Sequence, residues 1–195
     1  MNFRRGHQVI VHDPGLNDPF TTPPTALTPP VAYRRWTVHP QNSATFIMQR
    51  ITQYIDSAPN SRIDALHFMG HGNLGRIRIG RERFSSQNVN LFRALRGKVR
   101  YVVFFSCRVG GDTRGWVPRN HFRTFGARVS EATGANVVVA QQDQEYTYNA
   151  QNIIEFGTWE GPVDVYNPSG GWSAYQAYNP FRRETPLRLE NLIFG

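Results

Sequence analysis

The sequence of 195 residues contains a single cysteine, Cys107. One cysteine cannot form an internal disulfide, so a hydrophobic core must stabilise the fold, and the chain is long enough to build one. A reactive thiol is most useful where it stays reduced. Residues 1–8 contain no hydrophobic segment of the kind that directs secretion. We therefore expect a cytoplasmic protein, or one exported without a classical signal peptide.

Long apolar runs are also absent. No segment approaches the roughly 20 apolar residues that cross a bilayer as a helix, so we expect no membrane partner. Hydrophobic residues nevertheless make up 39% of the chain and charged residues 18%, a balance typical of a globular protein. We expect a single domain over residues 1–195, with a core at about 43–166, a proline-rich arm at 13–40 and an irregular tail at 167–195.

Lysine is nearly absent too, because Lys98 is the only one. The net charge of +8 is therefore carried by arginine, whose planar guanidinium pairs with phosphate and carboxylate groups. The arginines are scattered along the sequence and do not line up on one helix face, so nucleic acid is not expected as the main partner. Scarce lysine would also suit a bacterial toxin or effector that must evade lysine-directed ubiquitination. The arginines concerned are Arg34, Arg35, Arg76, Arg78, Arg81, Arg83, Arg182 and Arg183.

Hydrophobic periodicity predicts strands that alternate with helices through the middle of the chain. Short apolar runs indicate the strands, and apolar residues three or four apart indicate the helices. This alternation predicts an α/β protein with a mostly parallel central sheet and helices on both faces. In chain order we predict a strand at Gln8–His12, a helix at 43–57 capped by Ser43, strands at Ile63–Met69 and Arg76–Ile79, a helix at Val89–Leu95, a strand at 99–106, a helix at 122–132 and strands at 135–140 and Val163–Tyr166.

Two of the predicted strands end in reactive side chains. Strand Ile63–Met69 is followed by Gly70, His71 and Gly72, and the later strand at 99–106 is followed by Cys107. Because the carboxyl ends of parallel strands meet at one edge of a sheet, where ligands bind, we expect His71 and Cys107 to lie together. A cysteine nucleophile needs such a histidine to take its proton and later to protonate the leaving amine. The backbone N–H groups of Gly72 and Cys107 would form an oxyanion hole.

The same residues allow other interpretations. A free cysteine is often an inert core residue, and His71 could be a hydrogen-bonded loop histidine. The glycine pattern that begins at Gly70 fits a dinucleotide-binding fingerprint, but the residues after it alternate as a strand instead of opening a helix. His67 and His71 have the spacing of a helical zinc site, but Phe68 stands where the glutamate is required. We therefore expect no metal ion and no cofactor.

Together, the two strand-end motifs resemble the caspase-like cysteine peptidases of clan CD. The resemblance is closest to gingipain-like bacterial domains, and it covers residues 63–165, more than half of the chain. It implies a caspase-like three-layer sandwich and a cysteine endopeptidase that cleaves protein substrates through a covalent thioester. In this interpretation His71 is the base and acid, and Cys107 is the nucleophile. The segments that carry the resemblance are Gly70-His71-Gly72-Asn73-Leu74-Gly75, Ile77-Arg78-Ile79-Gly80, Ser106-Cys107-Arg108-Val109-Gly110 and Thr133-Gly134-Ala135-Asn136-Val137.

The resemblance also places a specificity pocket beside the strands that carry His71 and Cys107. The segment after the next strand would contribute to this pocket, and Gln142 and Asp143 lie in that segment. An acidic Asp143 at the pocket floor would favour a basic residue before the scissile bond. The alternative is that Asp143 is a solvated loop carboxylate.

A second functional hypothesis comes from the charge of the chain. A catalytically silent module on the same fold could bind protein or nucleic acid, and the net charge of +8 would favour an acidic partner. The two hypotheses differ in one property: only the peptidase requires a reactive thiol at Cys107.

Overall fold

The computed structural model describes residues 7–13, 15, 33–110, 124–141, 143, 158–159, 162–175 and 187–188. Within these ranges the strands, in chain order, are β1 (Gln8–His12), β2 (Tyr33–Thr37), β3 (Ile63–Met69), β4 (His71–Asn73), β5 (Arg76–Ile79), β6 (Glu82–Phe84), β7 (Val99–Phe105), β8 (Asn136–Ala140), β9 (Thr158–Trp159), β10 (Val163–Tyr166), β11 (Trp172–Tyr175) and β12 (Leu187–Arg188). The helices are α1 (Ala44–Ser57) and α2 (Phe125–Thr133), with 3₁₀ helices at Pro59–Ser61 and Val89–Leu95.

Seven of the described strands form a central sheet in the order β11-β10-β8-β7-β3-β1-β2. The five strands from β8 to β2 run parallel to their neighbours, and β10 and β11 are antiparallel at one side. Parallel neighbours require crossover connections, which return the chain to the same end of the sheet each time. The prediction of an α/β protein with a mostly parallel sheet is confirmed, and the carboxyl ends of β3 and β7 lie at the same edge.

Helix α1 begins at the residue that its sequence predicts. The Phe46 N–H donates to the Ser43 Oγ at 3.1 Å, which satisfies one of the free donors of the first turn. Ile47, Ile51 and Ile55 repeat at helical spacing, and all three are buried in the core. Both the N-cap and the apolar face of this helix are confirmed.

The larger part of the core lies between one face of the sheet and the helices. It joins alternate residues of the central strands to the buried residues of α1, α2 and the 3₁₀ helix. Its centre is aromatic, because the Phe68 and Phe104 rings of β3 and β7 stack with centroids 5.2 Å apart. The Phe92 and Phe125 rings pack against this pair at centroid distances between 5.2 and 6.0 Å. The helical layer is therefore fixed directly to the two strands that lead to His71 and Cys107.

The opposite face of the sheet has a smaller buried group. Its members, among them Ile10, Ala65 and Val103, all come from strands. The described helices thus pack on one face only. Helices on the second face, which the sequence predicts, are not seen among the described residues.

Several short elements differ from the predicted ones. Val89–Leu95 is a 3₁₀ helix rather than an α-helix, and the N-cap residue before it, Asn88, makes no side-chain capping bond. Strands β4 and β6 were not predicted, because three residues are too few to show an alternating pattern. Strand β2 lies inside the segment interpreted as a proline-rich arm, where Arg34 and Arg35 conceal its pattern.

The rest of the arm, residues 16–32, lies outside the described residues. So does most of the tail, of which only residues 167–175 and 187–188 are described. None of the helices that the structure describes is long and apolar enough to cross a membrane.

Candidate active site

His71 and Cys107 follow the ends of two neighbouring parallel strands. In the pairing of β3 with β7, the last partners are Met69 and Phe105. His71 and Cys107 each come two residues after these partners, and His71 is the first residue of β4. The predicted adjacency of these two strands is confirmed. It places the imidazole and the thiol on two segments that leave the sheet side by side.

Gly72 packs directly against the backbone of Cys107. A Cβ atom at Gly72 would lie 2.1 Å from the Cys107 carbonyl oxygen and 2.9 Å from the Cys107 nitrogen. No side chain fits at such distances, so only glycine allows this approach. The two residues predicted to supply the oxyanion hole are therefore in contact with each other.

The thiol segment is open to solvent on one side. Cys107 is half-buried and His71 is exposed, whereas Ser106 between the strand and the cysteine is buried. Cys107 is thus not enclosed in the core as an inert packing residue would be. Both candidate catalytic residues therefore have surface that is exposed to solvent.

The His71 ring is held by a backbone carbonyl. Its Nε2 lies 3.1 Å from the carbonyl oxygen of Gly15, in the turn that follows β1. A carbonyl oxygen only accepts hydrogen bonds, so Nε2 carries the proton in this contact. In the neutral ring the other nitrogen, Nδ1, is then the unprotonated one. This contact fixes which nitrogen of His71 is available as a base.

Asp13 holds the turn that contains Gly15. Its Oδ1 accepts the Gly15 N–H at 2.6 Å, its Oδ2 accepts the Gly80 N–H at 3.0 Å, and its own N–H donates to the Met69 carbonyl at 2.8 Å. The residue is buried, with an exposed fraction of 3%. Asp13 therefore connects the turn after β1 to β3 and to the loop after β5.

From the sequence, no role is predicted for Asp13 beyond ending the first strand. An aspartate two residues before a glycine is a signal for a turn in which the carboxylate binds the backbone ahead of it. That signal predicts the local turn. It does not predict that the turn reaches His71, because that contact joins residues 56 apart in the chain.

The loop after Cys107 is anchored on both sides. The Arg108 carbonyl accepts the Gly75 N–H at 3.3 Å, and the Gly110 N–H donates to the Ala140 carbonyl at 2.8 Å. Arg108 adopts a positive φ of 50°, a conformation that costs free energy in a non-glycine residue. The strained residue directly follows the candidate nucleophile, so the surrounding bonds fix the backbone there.

Asp143 does lie beside the thiol segment, but its carboxylate has a protein partner. Arg108, the residue after Cys107, forms an ion pair with Asp143, and both side chains are partly exposed. A basic substrate side chain at this position would compete with Arg108. Gln142, the second residue predicted for this pocket, lies outside the described residues.

A buried polar group lies beneath the loop after Cys107 and was not singled out from the sequence. Asp164 in β10 is completely buried and accepts a hydrogen bond from Gln141 Nε2 at 2.5 Å. A Cβ at Gly110 would lie 3.2 Å from Asp164 Oδ2, so the carboxylate is directly under the loop. Burial, followed by the neighbouring Asp164 charge, raises the pKa of Tyr166 well above its usual value.

His67 takes no part in this edge of the sheet. It is completely buried in β3, and its Nε2 bonds the side-chain oxygen of Gln8 at 2.8 Å. Burial lowers the pKa of His67 to about 3, so the ring is neutral in the folded protein. Within the described ranges, no group of three or more histidine, cysteine, aspartate or glutamate residues is placed to hold a metal ion.

Comparison with known proteins adds no family to this geometry. No family model matches the chain, and no curated protein matches it significantly. What is established is therefore the class of fold, an α/β protein with a mostly parallel sheet, and the composition of the strand edge. The function must be inferred from the edge itself.

Proposed function

We propose that the protein is a cysteine endopeptidase with a caspase-like fold, in which His71 and Cys107 form the catalytic dyad. The observation that carries the proposal is the edge of the sheet just described. A half-exposed thiol and an exposed imidazole follow neighbouring parallel strands, and the Gly15 carbonyl fixes the imidazole with Nδ1 as its basic nitrogen.

The first half of the reaction forms a thioester. Nδ1 of His71 takes the thiol proton, and the Cys107 sulfur attacks the carbonyl carbon of the substrate peptide bond. The backbone N–H groups of Gly72 and Cys107 stabilise the negative oxygen that develops. His71 then gives its proton to the leaving amine, the C–N bond breaks, and the acyl group stays on the sulfur.

The second half of the reaction regenerates the thiol. His71 takes a proton from water, whose oxygen attacks the thioester carbonyl. The C–S bond breaks, a carboxylic acid leaves, and the proton held by His71 returns to the sulfur. His71 is therefore one partner in every proton transfer, and the thiol, the leaving amine and water are the others.

The proposal is tested by cleavage of a diverse peptide library, read by mass spectrometry. We expect cleavage by the wild-type chain, none by Cys107→Ala, and a rate lower by about 10² to 10⁴ for His71→Ala. Ser106→Ala is the matched control, because it removes a neighbouring hydroxyl that the mechanism does not use. Equal cleavage by wild type and Cys107→Ala, or no cleavage by any variant, would reject the peptidase.

A further inference from the structure

Arginines that are scattered in the sequence come together on the small sheet formed by β4, β5 and β6. The strands pair antiparallel, and His71, Arg78 and Arg83 stand directly opposite one another across the three strands. Residues directly opposite in an antiparallel pair share a face. All three are exposed, and Arg76 lies on the same face two residues from Arg78.

The opposite face of the small sheet belongs to the core. Ile77, Ile79 and Phe84 are completely buried there. The alternation therefore forces the arginines to the outside. The packing of the small sheet explains why these positions are exposed. It does not require the exposed residues to be arginines.

This arrangement puts like charges opposite each other, and a carboxylate lies near one of them, because a Cβ at Gly15 would be 2.9 Å from both the Arg78 guanidinium and the Asp13 Oδ1. Arg78 and Arg83 are direct cross-strand partners, and opposed like charges destabilise a sheet. Among the described residues, no carboxylate forms an ion pair with Arg76, Arg78 or Arg83. An anion bound between the two strands would remove the repulsion.

The arginines line a cavity of about 800 Å³. Glu82 is the one acidic residue among its described lining, and both of its oxygens are engaged. Oε1 accepts from Arg81 at 3.0 Å, and Oε2 accepts from the Ala44 N–H at the start of α1 at 3.2 Å. The cavity therefore has a net positive lining, and none of the ion pairs among the described residues involves Arg76, Arg78 or Arg83.

The cavity adjoins the candidate active site. Arg78 is the cross-strand partner of His71, and Gly75 in the lining donates its N–H to the carbonyl of Arg108, next to Cys107. A chain bound across the small sheet would therefore continue towards the thiol. Leu74 lies at the same place with 53% of its surface exposed, which gives such a chain an apolar contact.

We propose that this cavity binds an acidic stretch of a polypeptide substrate, several aspartate or glutamate residues from the bond to be cleaved. The arginine guanidinium binds a carboxylate through two parallel hydrogen bonds, and Arg78 and Arg83 stand directly opposite each other on paired strands. As a statement about substrates, the proposal rests on the proposed peptidase activity. As a statement about binding, it stands without it.

The lining favours a polypeptide over a nucleic acid. Proteins that hold single-stranded nucleic acid provide aromatic side chains on which bases stack. The described lining contains no aromatic residue. Its exposed leucine and its neutral side chains Ser86 and Gln87 instead suit the mixed surface of an acidic peptide.

Binding is measured with the full chain carrying Cys107→Ala, so that no cleavage interferes. The probes are a short fluorescein-labelled peptide rich in glutamate and the same peptide with every glutamate replaced by glutamine, followed by fluorescence anisotropy. We expect the acidic peptide to bind at least about tenfold more tightly at low salt, with the difference shrinking as salt is added.

The double variant Arg78→Gln/Arg83→Gln is expected to weaken binding of the acidic peptide by about tenfold, and each single variant by about threefold. Arg50→Gln/Arg93→Gln is the matched control, because it removes two exposed arginines outside the cavity, and its affinity is expected to change by less than about twofold. The thermal midpoint of the Arg78/Arg83 variant should not fall, since the substitution removes a like-charge pair. A loss that is equal in both double variants would overturn the proposal.

Two further results would also overturn the proposal. One is equal affinity for the glutamate and glutamine peptides. The other is an oligonucleotide of equal charge that binds more tightly than the acidic peptide and loses its binding in the Arg78/Arg83 variant.

Cleavage assays with the wild-type chain separate this proposal from the proposed peptidase activity. Binding of the acidic peptide by a chain that cleaves no member of the peptide library supports the cavity and rejects the peptidase. Cleavage at equal rates with and without an acidic stretch supports the peptidase and rejects the cavity.

Discussion

At the residue scale, the candidate site depends on close backbone contacts as much as on reactive side chains. Gly72 allows two chain segments to touch, and the Gly15 carbonyl selects the tautomer of His71. The residue types predict Gly72 as an oxyanion-hole donor, but they do not predict that it packs against the backbone of Cys107. They could not predict the contact of Gly15 with His71 either, because a backbone carbonyl carries no sequence signature.

Replacing Gly72 by alanine tests the contact with Cys107. The added Cβ would meet the Cys107 carbonyl at 2.1 Å, so the cysteine backbone must move. A displacement of this size near the reacting atoms is expected to lower kcat/KM for a cleaved peptide by about 10²-fold. Gly97→Ala is the matched control, since a Cβ there meets nothing within 4 Å and only the positive φ of 74° opposes it.

The Gly97→Ala chain should lose about 1 kcal/mol of unfolding free energy and keep its activity. Activity that survives in Gly72→Ala would show that the close approach has no catalytic importance.

At the element scale, the strands were predicted where they are long and apolar. β3 and β7 follow from their uninterrupted hydrophobic runs, and their parallel pairing follows from the alternation of strands and helices. The short β4 and β6 carry too few residues for any period to show. The small sheet forms because Ile77 and Phe84 are buried in the core. This burial is a tertiary contact, so the local sequence pattern does not predict it.

The turn after β1 provides a prediction at this scale. Asp13 acts as a positioning residue, because its carboxylate holds Gly15 and Gly15 in turn holds His71. In Asp13→Asn one carboxylate oxygen is replaced by an NH₂ group, which cannot accept the Gly15 or Gly80 N–H. We expect kcat to fall about tenfold or more with KM changed less than about twofold, because substrate contacts are untouched.

The folded fraction of Asp13→Asn, measured by circular dichroism and thermal unfolding, serves as the control. A fall in kcat that matches a fall in the folded fraction would indicate a structural role alone.

At the scale of the whole molecule, the fold assembles what the sequence keeps apart. The arginines of β5 and β6 have no common helix face, yet they share one side of the small sheet with His71. Sequence spacing could not predict this, because it depends on the pairing of two unpredicted strands. The ion pair between Asp143 and Arg108 could not be predicted from the sequence either, because it depends on how two loops meet at the sheet edge.

Stability of the molecule in acid depends on buried histidines. Burial lowers the pKa of His67 to about 3, and burial followed by the charge of Arg35 lowers the pKa of His12 to about 4. Each ring is neutral in the fold but takes up a proton near pH 6.5 when unfolded. The contribution to stability is therefore complete at neutral pH and is lost as pH falls below about 6.5 towards the folded-state values.

We expect His67→Gln to reduce the loss of unfolding free energy between about pH 7 and about pH 4 by roughly 3 kcal/mol. Urea denaturation at each pH measures it, and the slope with pH is compared rather than the absolute stability. His39→Gln is the control, because His39 is exposed and should leave the slope unchanged. Identical slopes for wild type and His67→Gln would mean that the buried ring does not control acid stability.

In the proposed mechanism, His71 activates the thiol of Cys107. This activation is measured as the rate constant for alkylation of Cys107 by a peptidyl chloromethyl ketone, read by intact-protein mass spectrometry. We expect a single adduct at Cys107 in the wild-type chain and alkylation slower by about 10² or more in His71→Ala. Equal rates in the two proteins, at the rate of a free cysteine in solution, would contradict it.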